Sequence, residues 1–152
     1  VGFHAESGEI YAEDGEKEKE ERVNSAYYNS ITERVIGACI EVHRKLGPGL
    51  LESAYRECLS REFELRGISY AREVAVPVVY KDVHLECGYR IDFLIEGCVV
   101  LELKSVEGVA PVHEAQLLTY LSLGGWRVGL LINFNEIVLK NGIRRRVMNF
   151  EE

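Results

Sequence analysis

Apolar side chains recur at helical spacing in the first third of the chain and follow strand-like patterns after it. Between residues 31 and 46 they recur every three or four positions, which predicts a helix. Ser30 followed by Glu33 is the pattern of a capping box, which predicts that the helix begins at this point. A Gly-Pro-Gly turn at residues 47–49 interrupts the pattern, and a second helix is predicted over residues 50–67.

The pattern then changes to that of β-strands. Apolar and β-branched runs predict four strands, over residues 73–80, 84–95, 98–105 and 126–134. A third helix is predicted over residues 110–123, and a closing hairpin over residues 136–150. Two helices, three strands, a helix and a strand, in this order, predict an α/β fold with a mixed sheet.

Charge is concentrated at the N-terminus. The formal net charge is −7, and residues 1–22 contribute −5 of it through eight acidic and three basic side chains. This segment is also poor in apolar residues and has no periodicity. Residues 1–24 are therefore predicted to be an acidic, disordered extension, and residues 25–152 a single domain. The net negative charge argues against a general nucleic-acid coat, but the nearly neutral remainder of the chain leaves room for a local basic groove.

Other features predict a cytoplasmic protein that does not enter a membrane. Apolar runs are too short to span a bilayer, and the N-terminus has no apolar signal region. The four cysteines lack C-x-x-C spacing, so we expect free thiols. A homodimer is left open, because no heptad pattern supports one.

The stretch VVLELKSV, residues 99–106, places charged residues inside an otherwise apolar strand. Charged side chains are rarely buried unless they are paired or bind a metal. If the preceding hairpin closes through residues 96–98, Asp92 faces Glu102 across the strands and Lys104 lies on the same face. Two adjacent carboxylates repel each other unless a divalent cation lies between them. This register predicts a cation site. The alternatives are a structural ion pair and polar side chains at a solvated edge.

Each of these residue types suits phosphodiester hydrolysis. Mg²⁺ prefers oxygen ligands, which Asp92, Glu102 and the main-chain carbonyl of Leu103 would supply. A bound Mg²⁺ polarises a phosphoryl oxygen and lowers the pKa of a coordinated water. Lys104 would orient that water or stabilise the developing charge. The stretch therefore predicts a metal-dependent phosphodiesterase.

Two further polar groups are candidates for the same site, and each has a structural alternative. Glu52 and Tyr55 lie three residues apart at the start of the second helix, where the helix dipole alone favours a carboxylate. His113, Gln116 and Tyr120 share one face of the third helix. That face would contact phosphates or orient the lysine, or it would simply be solvated.

Two other groups have simpler explanations. Cys39 and His43 are four residues apart on a helix, but no second pair completes a metal site, so packing is favoured. The arginines at residues 144–146 would meet phosphates or protect a sheet edge from pairing.

Five segments together resemble one family of enzymes. They are GPGLLESAY, YRIDFLI, VVLELKSV, HEAQLLTYL and GLLINF, in this order. In these segments the chain resembles the GxxExxY family, a branch of the PD-(D/E)XK nuclease superfamily, from about residue 31 to residue 150. The resemblance implies a restriction-endonuclease-like core, in which helices flank a mixed central β-sheet and two helices precede it.

The resemblance also implies roles for the charged residues. Asp92, Glu102 and Lys104 match the catalytic triplet of the superfamily, with Mg²⁺ or Mn²⁺ as the expected metal. Glu52 matches a helix carboxylate that helps to hold the metal or the water. Together with the carbonyl of Leu103, these residues form the implied catalytic and metal site.

The third helix is implied to support catalysis and bind substrate. Gln116 and Tyr120 match a Q-x-x-x-Y element that contacts the nucleic-acid backbone in relatives, and Tyr55 and His113 are further candidates for substrate contact. The implied function is hydrolysis of DNA. The alternative is a catalytically silent module of the same fold that binds nucleic acid or a protein partner.

Overall fold

The computed structural model describes residues 2–149 and divides the chain into two compact units, Val1–Ser30 and Ile31–Glu152. Helix α1 spans Gly2–Leu46, so it begins far earlier than the apolar pattern indicates. Residues 2–24, for which a disordered extension was predicted, belong to this helix. Their many glutamates and lysines are good helix formers even where no apolar stripe marks a helix. A domain boundary at residue 25 stays a prediction.

The second unit contains a five-stranded mixed sheet flanked by helices. In chain order the remaining elements are α2 Glu52–Arg66, β1 Tyr70–Ala75, β2 Val78–Tyr80, β3 Val83–Leu85, β4 Arg90–Ile95, β5 Val99–Lys104, α3 Pro111–Gly124, β6 Val128–Asn133, a 3₁₀ turn at Leu139–Gly142 and β7 Ile143–Val147. The strand order is β1-β4-β5-β6-β7, and β5 and β6 are the parallel pair that α3 connects. The predicted α/β class with a mixed, helix-flanked sheet is confirmed.

Two packed layers enclose the central strands. On one face, Leu117 and Leu121 of α3 lie in a cluster with Val100 and Leu131 of the sheet. Gly129 lies under this helix, and a Cβ there would come within 2.8 Å of Leu117 Cδ1. Phe63 of α2 packs edge-on against Phe93 of β4, with the ring centroids 5.4 Å apart. Strands β5 and β6 are buried for most of their length because both of their faces are covered.

Two predicted strands are each divided in the structure. The run at residues 73–80 breaks before Val78, because Pro77 cannot donate to a ladder. The run at residues 84–95 breaks around Gly88, whose φ of 74° favours glycine. The pieces β2 and β3 form a separate two-stranded sheet, turning through Lys81 and Asp82.

The predicted closing hairpin is wrong. Strand β7 pairs with β6, and the segment before it forms the 3₁₀ turn instead of a strand. This turn fits closely against the end of β6, since a Cβ on Gly142 would lie 2.5 Å from the carbonyl oxygen of Asn133. Phe150, the predicted end of the hairpin, lies outside the described residues. Between residues 2 and 149, no helix is both long enough and apolar enough to cross a membrane.

Candidate active site

Strands β4 and β5 separate in the middle of the sheet. Over the residues described, their pairing runs from Ile95–Val99 to Phe93–Leu101 and goes no further. Beyond that point β4 remains paired only with β1, and β5 remains paired only with β6, among the described residues. We call the resulting gap the fork; it lies between residues 90–92 of β4 and 102–104 of β5.

Asp92 and Glu102 face each other across the fork. The pairing register confirms the predicted hairpin, with residues 96–98 as its loop. The main-chain N–H of Asp92 donates to Glu102 Oε1 over 2.9 Å, and the N–H of Leu103 donates to Asp92 Oδ2 over 2.8 Å. Each carboxylate therefore accepts a main-chain hydrogen bond from the opposite strand, as buried N–H groups require.

The surroundings of Glu102 raise the pKa of its carboxyl group. It is 7% exposed, and burial raises its pKa to about 8, followed in effect by the charge of Asp92. The ammonium of Lys104 lowers this pKa and the carboxylate of Glu52 raises it, so both groups act on Glu102 electrostatically. Asp92, Lys104 and Glu52 thus all act on the carboxyl group of Glu102. In the absence of a metal, burial therefore favours the protonated form of Glu102.

Arg56 also belongs to the site, although sequence reasoning missed it. Its Nε and Nη2 atoms donate to Asp92 Oδ1 over 3.0 and 2.7 Å. Arg56 follows Glu52 by one turn of α2, so both side chains lie on one helix face. That i, i+4 spacing was visible in the sequence, but the partner of Arg56 is 36 residues away.

The start of α2 depends on Tyr55. This side chain is fully buried, and its ring stacks on Phe134 with centroids 4.5 Å apart. Its hydroxyl donates to the carbonyl of Gly47 over 2.6 Å and accepts the N–H of Leu50 over 3.2 Å. The glycines of this turn adopt positive φ angles, 99° at Gly49. Tyr55 therefore closes the turn that places Glu52, and its hydroxyl bonds only within that turn among the hydrogen bonds described.

A cleft of about 440 Å³ opens beside these residues. It is lined by Leu50, Leu51, Glu52, Ser53, Arg56 and Ser105. Ser105 follows Lys104 directly, and its hydroxyl donates to the carbonyl of Leu50 over 2.5 Å. This bond ties the end of β5 to the turn before α2. The cleft is shallow and open to solvent, and the side chains of Glu52 and Arg56 lie on its wall.

The three polar residues of α3 have different positions. Tyr120 is buried, and its pKa is raised by burial and then by the charge of Glu102, with smaller effects from Tyr89 and Asp92. It therefore lies within electrostatic reach of the fork. His113 is half-buried, and its Nδ1 accepts the N–H of Ala110 over 3.0 Å, which caps the helix. Gln116 is exposed.

Asn133 supports the strand that carries Lys104. It is fully buried at the end of β6, directly beside Lys104 in the parallel ladder. Its Oδ1 accepts the N–H of Val106 over 3.1 Å, and its Nδ2 donates to the carbonyl of Val106 over 2.9 Å. The sequence offered one signal, a polar residue inside the apolar run GLLINF.

The fork and the start of α2 carry oxygen donors of the kind that hard cations bind. The fork has the carboxyl groups of Asp92 and Glu102, and α2 contributes that of Glu52. The carbonyl of Leu103 faces the same side as its N–H, which points to Asp92. Oxygen donors of this kind suit Mg²⁺ or Mn²⁺. Among the residues the structure describes, however, no three Asp, Glu, His or Cys side chains converge closely enough to hold an ion. The guanidinium of Arg56 neutralises Asp92 instead.

The remaining candidates have structural partners. Cys39 is fully buried, which raises the pKa of its thiol, and His43 Nε2 lies 2.7 Å from the carbonyl of Glu136. Arg144 and Arg146 both pair with Glu114 of α3. Within residues 2–149, no disulfide bond joins any of the four cysteines.

Comparison with known proteins identifies a family for most of the chain. A family model described as the PD-(D/E)XK nuclease superfamily matches residues 29–146. This range includes α2, α3, both sides of the fork and every candidate residue discussed above. No curated protein and no solved structure matched the chain.

Proposed function

The chain belongs to the PD-(D/E)XK nuclease superfamily, and we propose that it is a metal-dependent nuclease that hydrolyses DNA phosphodiester bonds. We also assign it to the GxxExxY branch that its motifs resemble. The observation that carries the proposal is the fork, where Asp92 and Glu102 are held face to face by reciprocal main-chain hydrogen bonds. A cytoplasmic location stays a prediction.

The acidic residues would hold the metal. Asp92, Glu102, Glu52 and the carbonyl of Leu103 supply oxygen donors, and Mg²⁺ or Mn²⁺ is the proposed ion. When bound, the ion would polarise the phosphoryl oxygen and lower the pKa of a coordinated water. Lys104 would orient the attacking water or stabilise charge on the phosphoryl oxygens.

The neighbouring elements would bind and orient the nucleic acid. The cleft beside Glu52 offers room for a phosphodiester, with the hydroxyl of Ser53 on its wall. Tyr120 of α3 would support the carboxylates of Asp92 and Glu102. Gln116, which is exposed one helical turn before Tyr120, would contact the sugar-phosphate backbone of the nucleic acid. His113 and Tyr55 would act indirectly, through the starts of α3 and α2.

A catalytically silent module that binds nucleic acid or a protein partner is the second candidate. It is favoured by the ion pair between Arg56 and Asp92, which neutralises a carboxylate that the enzyme needs for its metal. The two functions differ in whether divalent ions bind and whether DNA is cut.

A cleavage assay separates them. The protein is incubated with single- and double-stranded DNA and Mg²⁺ or Mn²⁺, beside Lys104→Ala and Glu102→Gln. Lys140→Ala serves as control, because Lys140 is exposed on the 3₁₀ turn. We expect the two site variants to lose on the order of a hundredfold in rate and the control to retain it. Equal cleavage by Lys104→Ala would indicate a contaminant and overturn the proposal. DNA binding without cleavage would establish the silent module.

A further inference from the structure

We propose that Arg56 competes with the metal for Asp92, so that its guanidinium is an internal counter-cation that the divalent ion must displace. In this role Arg56 is a positioning residue that sets the affinity of the site. The inference rests on the proposed function, because it requires that a metal binds at the fork.

Arg56 occupies the oxygen that an ion would need. Both of its donating nitrogens bind Asp92 Oδ1, while Oδ2 accepts the N–H of Leu103. Both oxygens of Asp92 are therefore engaged, and Oδ1 carries two charge-assisted bonds. The side chains are only 20% and 13% exposed, so solvent screens this pair weakly. An ion that binds Oδ1 must replace these bonds.

Other arginines of α2 behave differently. Arg61 and Arg66 pair with Glu64 and Glu62 on the same helix, where those arginine side chains are 69% and 40% exposed. Arg56 instead reaches 36 positions along the chain to the sheet. Its contact is therefore part of the site, and Arg61 provides a matched control on the same helix.

The cleft offers the guanidinium another position. Arg56 lines the wall of the cleft together with Ser53, so a phosphate group in the cleft would lie beside its guanidinium. Guanidinium binds phosphate oxygens through paired hydrogen bonds. Once a metal ion displaces the guanidinium from Asp92, the guanidinium would bind a phosphodiester in the cleft.

Removal of Arg56 should tighten metal binding. The substitution eliminates the competing cation and leaves the Asp92 carboxylate beside Glu102 without a neutralising partner. A metal ion then binds a free Asp92 carboxylate and does not first have to displace the guanidinium. A residue with a merely structural role would give the opposite result, because its loss would loosen the site.

The test is calorimetric titration of the full chain with MnCl₂. We expect Arg56→Gln to bind Mn²⁺ about tenfold more tightly than the unmodified protein, a change that corresponds to about 1.4 kcal/mol. Arg61→Gln should match the unmodified protein. In EDTA the Tm of Arg56→Gln should fall, since a buried carboxylate has lost its partner, and Mn²⁺ should raise its Tm more than that of the unmodified protein.

Two outcomes would overturn the inference, and they differ in their consequence for function. Equal or weaker Mn²⁺ binding by Arg56→Gln would refute the competition while leaving the nuclease proposal intact. Absence of Mn²⁺ binding in every protein would refute both. Should Arg56→Gln fail to fold, Arg56→Lys replaces it. Lysine keeps the positive charge but lacks the planar pair of donors, so it should compete less well for Asp92. The Arg56→Lys protein should therefore bind Mn²⁺ more tightly than the unmodified protein, and equal affinities would again refute the competition.

Discussion

Glu102 accepts the main-chain N–H of Asp92 over 2.9 Å, at the point where β4 and β5 separate. The carboxylate thus takes the place of a main-chain acceptor that the departing strand no longer offers. The same side chains that make the candidate metal site also complete the hydrogen bonding of the sheet. Substitution of either one should therefore change stability as well as activity.

The metal-free protein should lose stability as the pH rises. Burial raises the pKa of Glu102 from 4.5 to about 8, so the folded state keeps a proton that the unfolded state releases. This contribution is fully present below about pH 4.5 and is lost as the pH rises to about 8, by at most about 1.4 kcal/mol per pH unit. Urea unfolding in EDTA at several pH values measures it. Glu102→Gln should remove this part of the slope, whereas parallel curves for the two proteins would contradict the assignment.

Asn133→Ala should destabilise the protein and slow cleavage. The substitution leaves the half-buried N–H of Val106 without its partner and removes one of the two bonds to its carbonyl, which Asn135 Nδ2 also donates to, at a cost of about 1–2 kcal/mol. Because Val106 follows Lys104 by two residues, the lysine should lose its position. Urea unfolding and DNA cleavage measure the two effects, with exposed Asn141→Ala as the control. Full activity in Asn133→Ala would show that the fork does not depend on this support.

Tyr55→Phe should weaken the turn before α2. The ring remains, but the carbonyl of Gly47 and the N–H of Leu50 lose their hydrogen-bond partner, at a cost of about 1–2 kcal/mol. Chemical unfolding measures this loss. Tyr80→Phe is the matched control, since Tyr80 is largely exposed on β2. A Tyr55 variant of unchanged stability, with a raised KM for DNA, would instead assign the hydroxyl to substrate binding.

His113→Ala distinguishes a helix cap from a substrate contact. Loss of the bond to the N–H of Ala110 should lower the free energy of unfolding by about 1 kcal/mol and leave the cleavage rate near that of the unmodified protein. Thermal unfolding and steady-state cleavage give the two values. A large loss of activity at unchanged stability would favour direct contact with nucleic acid.

The register at the fork was predictable because it depends on short-range information. The loop at residues 96–98 sets which residues face each other, and a slip by one residue would take Glu102 out of its position opposite Asp92. Elements with weaker local signals were not predictable. The hairpin predicted over residues 136–150 turns at Asn141 and Gly142, but its first strand is absent from the described residues. The 3₁₀ turn Leu139–Gly142 fits closely against Asn133 of β6, and the local pattern does not show this contact.

The amino-acid sequence by itself determined the α/β class, the strand that carries Glu102 and Lys104, and the facing position of Asp92. Periodicity and loop length are local properties, and they suffice for these features. Only the tertiary structure decided that Arg56 pairs with Asp92, that Tyr55 is enclosed, and that Asn133 holds the chain after β5. Such contacts join residues far apart in the chain, and packing selects them from many partners of the same chemistry.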